Sequence, residues 1–369
     1  MASNADIQSA HYDGEVPPFA EMELERLYGS VYSSLAHFRI HGGAEDASTY
    51  VARRGGDIVA LFLFRREGRR VRVVNEGMIL DREAIENFVE YVFSTFPGVG
   101  AIVFHSVQAE FGQCLRPFQR TACGEDIAAD LPPTVDEYVA RLGSATRKNI
   151  RRHKNRLERS FPSFSFRVHT KEEADERQMR EIIAFNHARM AAKGKTSVID
   201  EARTQAILRM VRARGFVTVA TIDGRVCGGA ITARIGDSFI SLVNSHDPLY
   251  DDYRLGTLCC FLTICACIER GGKRFDFRWG QYEYKIALLG EHHWLYRLIL
   301  YRSHFHLACN ADLAVRTALA GALRAAKWRL AEAANREEGK AGGWIGRSVR
   351  WVRAVKRRFA WPAPNAGTH

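Results

Sequence analysis

The sequence has no long hydrophobic segment. Nowhere do about 18 uncharged apolar residues follow one another, which excludes an ordinary membrane-spanning helix. The first residues, MASNADIQSAHYDGEVPPF, are polar and acidic and lack the basic-then-apolar order of a signal peptide. We therefore expect a cytoplasmic protein, and contact with the inner face of the membrane stays open.

The cysteines and histidines do not have the spacing of a metal site. No CxxC pair recurs among the eight cysteines, and four of them lie in one apolar helical stretch, TLCCFLTICACIE. Free cysteine packs as a small hydrophobe, so we assign these thiols to a core. His292 and His293 are adjacent and would point to opposite faces of a strand. We predict no metal.

The positive charge is concentrated in two segments. The chain has a net charge of +11, yet residues 141–159 contain eight Arg/Lys against one Glu, and residues 324–358 contain eleven against three. The rest of the chain is therefore net negative. Each basic segment suits an anionic partner, namely a phosphorylated substrate, a nucleic acid or a lipid surface.

One pattern of elements occurs twice. From residue 50, three apolar runs separated by glycine turns predict an antiparallel meander, which is followed by a helix over 81–96 and a strand over 100–107. From residue 215 the same order returns, with turns at 223–224 and 236–237, a helix from 256 and a strand over 273–280. A βββαβ unit that recurs in order and length indicates a duplication.

The second copy is longer than the first. A strand (FSFRVHT) and helices over 174–193 and 201–214 precede it, and a helical turn (EYKIALLG) and a strand (HWLYRLILYRS) follow it. We expect the two extra helices in this copy alone. The predicted fold is α/β with a mixed sheet, divided into an N-terminal lobe (1–138), a second lobe (139–310) and C-terminal helices with a basic amphipathic tail (311–369).

Three motifs give the sequence a family resemblance. Residues 144–152 read SATRKNIRR, residues 250–257 read YDDYRLGT before a helix, and residues 275–280 read FDFRWG before Tyr284-Lys285. These resemble the S-x-x-R-x-N-I-R, Y-x-x-Y-x-x-G and F-D-F-x-x-G-x-x-x-Y-K segments of the FemAB-like superfamily. The element order is similar to the GNAT acyltransferase fold, here as tandem lobes, and the resemblance is strongest to the CelD-like acetyltransferases found with bacterial polysaccharide genes.

The resemblance implies an N-acyltransferase that uses acetyl-CoA or another acyl-CoA and a small-molecule amine, such as an amino sugar or amino acid. Backbone amides and the dipole at a helix start attract phosphate. We therefore expect Arg254, Leu255, Gly256 and Thr257 to bind the cofactor. Strand residues Leu242 to Ser245, with Leu242 and Asn244 as candidates, would hold the thioester. The first copy has no counterpart of this loop.

The reaction requires a base with a pKa near the operating pH. The family often has an acidic residue after the last glycine, where this chain has Gln281 and Tyr282. Glu283 and His246 are our candidate bases, with Asp247 as another and Asp276 less favoured. Tyr284 would protonate the departing thiolate or orient the substrate. Candidate substrate contacts are Arg147, Arg151, Trp279, Gln281 and Lys285.

Two other functions remain open. The basic segment 144–160 fits tRNA, so a FemX-like transfer from aminoacyl-tRNA is an alternative, although nothing resembles an aromatic-interleaved nucleic-acid motif. Residues 343–359 (GWIGRSVRWVRAVKRRF) combine apolar and cationic residues, as interfacial membrane helices do. The chain would then be a membrane-associated accessory protein of polysaccharide biosynthesis without catalytic activity.

Overall fold

The computed structural model describes residues 7–109, 115–170, 173–280 and 283–338, with side chains to residue 329. Residues to Asn310 form one compact unit, and a second unit begins at Ala311. The predicted boundary between residues 138 and 139 stays a prediction. None of the helices in the described part of the chain combines the length and hydrophobicity needed to cross a bilayer. Residues 343–359 lie outside the described residues.

The first lobe contains a meander, a helix and a strand, as predicted. The predicted elements are β2 (Ser48–Arg54), β3 (Asp57–Glu67), β4 (Arg70–Val73), α3 (Arg82–Thr95) and β6 (Ala101–Ala109). A two-residue strand β5 (Ile79–Leu80) lies before α3, and β7 (Phe118–Asp130), α4 (Val135–Arg141) and α5 (Ser144–Ser160) follow β6. Apolar residues of α3 at helical spacing (Ile85, Phe88, Val89, Val92, Phe93) pack against the sheet.

The first lobe also has a front section that we did not predict. It contains β1 (Ile7–Tyr12), α1 (Ala20–Tyr28), a short 3-10 helix (Val31–Ser33) and α2 (Leu35–His41). The expectation that two front helices occur only in the second copy is therefore wrong. Alternate residues of β1 are exposed, as expected at a sheet edge, so its sequence shows no apolar run that would reveal a strand.

The second lobe follows the predicted element order throughout. It contains β8 (Ser165–Thr170), α6 (Glu176–Ala192), α7 (Glu201–Arg214), β9 (Gly215–Ile222), β10 (Arg225–Ile235), β11 (Ser238–His246), a 3-10 helix (Pro248–Tyr253), α8 (Leu255–Glu269), β12 (Arg274–Asp276), α9 (Glu283–Ala287) and β13 (Glu291–Tyr301). The short helix α10 (His304–Cys309) ends the unit, and α11 (Ala311–Glu338) begins the next.

The first hairpin turns of the two copies have matching backbone geometry. Gly55 and Gly56 both have positive φ, and so do Asp223 and Gly224. Two consecutive positive φ angles suit the right-handed twist of a tight hairpin, and glycine and aspartate tolerate them best. The same residue types therefore occur at the two turns because both turns require positive φ angles.

The two lobes exchange their last strands within one mixed sheet. The strand order is β1-β2-β3-β4-β6-β13-β7-β12-β11-β10-β9-β8, with β5 beside β6. β13, from the end of the second lobe, pairs with β6 of the first, while β7, from the end of the first, pairs with β12 of the second. The junction of the lobes is thus built from both halves of the chain.

Candidate functional site

A gap opens between two neighbouring strands of the second lobe. The parallel strands β11 and β12 pair only where Ser238–Ile240 meet Arg274–Asp276, and β11 then continues to His246. Its other edge is paired with β10 except at Leu242, where the register shifts. Backbone groups of residues 241–246 on the β12 side are therefore available to a ligand, since buried amides and carbonyls require partners.

The corresponding gap in the first lobe is bridged. β5 pairs with the end of β6, the Gly77 amide donates to the Ser106 carbonyl at 2.7 Å, and the Gln108 amide donates to the Met78 carbonyl at 2.8 Å. These bonds occupy the backbone groups that the second lobe leaves open. Of these two gaps in the described part of the chain, only the one in the second lobe leaves its strand edge open to a ligand.

The helices that follow the two gaps begin differently. In the first lobe the Asp81 carboxylate caps α3 by accepting from the Ala84 amide at 2.7 Å. In the second lobe Arg254 precedes α8 in the left-handed conformation, with φ of 53°, and no side chain caps the helix. The Thr257 amide donates to the Arg254 carbonyl at 3.0 Å, and the amides before it in α8 have no intrahelical acceptor. An anion can therefore bind at the start of α8, whereas a carboxylate already caps α3.

Side chains at the end of β11 hold this helix start in place. The Asn244 side-chain amide donates to the Gly256 carbonyl at 3.1 Å. The His246 ring lies against Gly256, where a Cβ atom would come within 2.6 Å of Nδ1, and its Nε2 is 2.7 Å from a carboxylate oxygen of Asp251. Gly256 is therefore needed for close packing of His246, and His246 joins the strand end to the 3-10 helix.

A pair of carboxyl groups lies at the mouth of the gap. Asp276 is the last residue of β12, and its side chain is hydrogen-bonded to Asp126 of β7. Burial is the largest cause that raises the pKa of Asp276 well above its ordinary value, and the negative charge of Asp126 adds to it. The Arg278 amide donates to the Asp276 carboxylate at 2.5 Å. A raised pKa makes this carboxylate a stronger base than an ordinary one.

Groups from the first lobe complete this cluster. The Arg278 guanidinium donates to the Tyr32 hydroxyl at 2.6 Å, and burial raises the pKa of Tyr32. His37 packs edge-on against Tyr32, and burial lowers its pKa to about 4, so it is neutral at physiological pH. Asp126 and Tyr32 were missed in the sequence because strand exchange and packing between lobes bring them here.

The comparisons with known proteins agree with this geometry. The family model described as "Acetyltransferase (GNAT) domain" matches residues 144–286. The second lobe therefore has a GNAT-like fold. No curated protein has a significant sequence match to the chain.

Solved structures align with about four fifths of this chain. FemX is 10% identical, with a TM-score of 0.52 over 79% of this chain and 96% of that chain. The C-terminal domain of a putative lysylphosphatidylglycerol synthetase from Agrobacterium fabrum is 12% identical, with a TM-score of 0.45 over 80% and 95%. A tandem GNAT protein from the clavulanic acid biosynthesis pathway is 11% identical, with a TM-score of 0.37 over 80% and 98%. The likeness to FemX supports the same fold.

The predicted cofactor residues lie around the gap between β11 and β12 in the second lobe. Asn244 and Gly256 touch each other, Arg254 is exposed, and Thr257 is half-buried in the first turn of α8. Leu255 is fully buried in a core, so only its backbone faces the helix start. Leu242 lies in the unpaired part of β11 but packs its side chain against apolar clusters.

The predicted base and thiolate acid are not brought together. Glu283 is exposed at the start of α9, and Tyr284 packs against the core that contains Phe277. Asp276, which we favoured less, has the altered pKa and the position at the gap. Its neighbours Phe275 and Phe277 face the core on the α8 side, so the predicted alternation of this strand is confirmed.

Lys285 has a different position from the one we expected. It is 3% exposed, and its ammonium group donates to the carbonyls of Phe277, Arg278 and Trp279 at 2.8–3.0 Å. Burial lowers its pKa to about 8. Its three donors are used to fix the backbone after β12, so the predicted contact with an anionic substrate does not fit. A lysine at the end of the family-like motif gave no sign in the sequence that it would be buried.

Replacing Lys285 with methionine should destabilise the fold. Lys285→Met removes the donor of three buried carbonyls, and we expect the free energy of unfolding at pH 7 to fall by about 2–4 kcal/mol. The lowered pKa makes the wild type gain stability relative to the variant as the pH rises above about 8, because the unfolded chain then binds more protons than the folded one. Denaturant titration measures both effects.

Lys273→Met is the matched control for this prediction. Lys273 is exposed and pairs with Asp237 at 2.7 Å. Its loss should change stability by about 0.5 kcal/mol or less, as for most surface ion pairs. Equal effects of the two substitutions would contradict the assigned role of Lys285.

The remaining predicted substrate residues have different surroundings, although Arg147 and Arg151 lie one turn apart on α5. Arg147 donates to the carbonyls of Ala140 and Leu142 at 2.8 Å, so it caps the end of α4. Arg151 is exposed on α5. Trp279 is 53% exposed beside the carboxyl pair, and the Arg278 guanidinium lies 3.9 Å above its ring. Gln281 lies outside the described residues.

Helix α5 brings positive charge close to the segment that precedes α8. The Arg156 guanidinium lies 4.8 Å above the Tyr253 ring and donates to the Asp252 carbonyl at 3.4 Å. Burial and the nearby charges of Arg152, Arg254 and Arg156 lower the pKa of His153. Several cations therefore surround the uncapped start of α8. The described residues contain no cluster of metal-ligating side chains.

Proposed function

We propose that this chain is an N-acyltransferase that moves an acyl group, with acetyl as the first candidate, from coenzyme A to the amine of a small molecule. The amine belongs to a sugar or an amino acid. One observation carries the proposal. The gap between β11 and β12 begins at a carboxyl group of raised pKa and leads to an uncapped helix start.

The residues present fit an acyl-CoA donor. The α8 amides and Arg254 supply contacts for its pyrophosphate. The unpaired edge of β11 supplies contacts for the amides of its pantetheine arm. Within the described residues, Asn244 Oδ1 and Ser245 Oγ on β11 are buried without hydrogen-bond partners. Buried polar atoms of this kind favour a ligand that brings the missing donors.

The carboxyl pair supplies the proton acceptor for the reaction. The neutral amine nitrogen attacks the thioester carbonyl carbon, a C–N bond forms and the C–S bond breaks. The amine proton passes to the ionised Asp276–Asp126 pair, and the thiolate takes a proton from solvent. Amides of residues 241–245 stabilise the charge on the carbonyl oxygen. The pair also attracts the ammonium form of the acceptor before deprotonation.

The test uses the full chain with acetyl-CoA and a panel of amino sugars and amino acids. Acetyl-CoA well above its dissociation constant should raise the melting temperature, and a thiol assay should show CoA release that requires an amine. No thermal shift with acetyl-CoA or longer acyl-CoAs would overturn the proposal. A shift without turnover on any amine would support a binding protein instead.

Helix α5 favours a second candidate function, the transfer of an aminoacyl group from tRNA. Its exposed residues include seven cations against Glu158 (Arg147, Lys148, Arg151, Arg152, Lys154, Arg156 and Arg159). Polyanion binding would make the tRNA affinity fall steeply with salt. Tight, salt-dependent binding of tRNA, together with no binding of acyl-CoA, would favour this candidate over the first.

A further inference from the structure

Helix α11 has an apolar stripe that is exposed to solvent. Val315, Leu319 and Leu323 are 64%, 58% and 63% exposed. Ala318, Ala322 and Ala326 between them are also exposed. These six residues follow the spacing i, i+3, i+4, i+7, i+8 and i+11, so they form one continuous face over three helical turns. We call this face the α11 stripe.

The α11 stripe departs from the usual pattern of a helix face in water. Contiguous exposed apolar surface of this kind marks an interaction site, because a helix in water normally turns polar residues outward.

Charge indicates what covers the stripe. Arg316 and Lys327 lie along one flank of it and are exposed. The chain continues into its most basic segment, with eleven Arg/Lys against three Glu over residues 324–358. An apolar face with cations at its flank is the pattern of a helix that lies in a membrane interface, where long basic side chains reach the headgroups.

We propose that the α11 stripe docks on an anionic lipid bilayer. Val315, Leu319 and Leu323 enter the acyl-chain boundary, and Arg316 and Lys327 meet lipid phosphates. The inference does not depend on the proposed acyl transfer.

The experiment measures co-sedimentation of the full chain with vesicles. One set contains phosphatidylcholine alone, and the other contains phosphatidylcholine with about one third phosphatidylglycerol. The double variant Leu319→Glu/Leu323→Glu removes the stripe and keeps the basic tail. The matched control, Met22→Glu/Val198→Glu, places the same charges at exposed apolar positions of the other unit, where Met22 is 72% and Val198 63% exposed.

We expect the wild type and the control to bind the anionic vesicles equally well and not to bind the neutral ones. The stripe variant should bind at least 10-fold more weakly, with an unchanged circular dichroism spectrum. Binding of the stripe variant equal to that of the wild type would overturn the proposal, as would a wild type that binds neither vesicle. A wild-type dimer that the stripe variant converts to a monomer, without lipid binding, would assign the stripe to a second copy.

Discussion

Replacement of Asp276 with asparagine should lower kcat by about 100-fold or more while leaving the protein at least as stable as the wild type. Loss of a general base typically costs about 10²–10⁴-fold in rate. The raised pKa of Asp276 means that burial penalises its charged form. That penalty grows as the pH rises above the ordinary value of 3.8, and neutral asparagine avoids it.

Three measurements separate a catalytic from a structural role here. The rise of kcat/KM with pH that reports ionisation of the pair should disappear in Asp276→Asn, whereas the thermal shift with acetyl-CoA should remain. Two controls, Asp130→Asn and Glu283→Gln, should keep rates near those of the wild type. Both residues are exposed, and Asp130 lies on the same strand as Asp126. Normal turnover in Asp276→Asn, or its loss in Glu283→Gln alone, would refute this assignment.

Gly256→Ala should weaken acyl-CoA binding by more than 10-fold. The added Cβ would lie 2.6 Å from His246 Nδ1 and 2.9 Å from Cε1, so the ring and the first turn of α8 must move apart. Overpacking of this kind also costs about 1–3 kcal/mol of stability. In an open helix, alanine would instead be favoured over glycine by about 1 kcal/mol. Isothermal titration with acetyl-CoA and denaturant unfolding measure the two effects.

A second substitution tests the cause. In Gly256→Ala/His246→Ala the ring that the methyl group meets is gone, and most of the stability should return. A double-mutant cycle then gives a favourable coupling between the two positions. If the two losses simply add, the contact between Gly256 and His246 is not the reason that glycine occupies this position.

Local signals in the sequence predicted the elements of the fold. Turn residues such as Asp223-Gly224 and the helical spacing of Ile85, Phe88 and Val92 depend on neighbours in the chain, which a sequence displays directly. The front section of the first lobe was missed because β1, as a half-exposed edge strand, lacks a strong apolar pattern. The exchange of β7 and β13 was missed because strand pairing over long separations leaves no local mark.

The same distinction applies to the site. The start of α8 was recognised because Arg254 to Thr257 form one contiguous segment before an apolar helix. The carboxyl pair was not recognised, because Asp126 and Tyr32 come from distant parts of the chain. The remaining differences between the predicted and the observed site concern the burial of single side chains. The sequence could not show that Glu283 is exposed, or that the charged side chain of Lys285 lies among three carbonyls.

The exchange of β7 and β13 affects how the chain is made. β6 cannot gain its neighbour β13 until residues near Tyr301, which pairs with Ala101, have been synthesised. At about 5–20 residues per second, this delay lasts roughly 10–40 s. During that time the first lobe has an unpaired strand edge, which is a template for aggregation. Truncation between the lobes would make that exposure permanent.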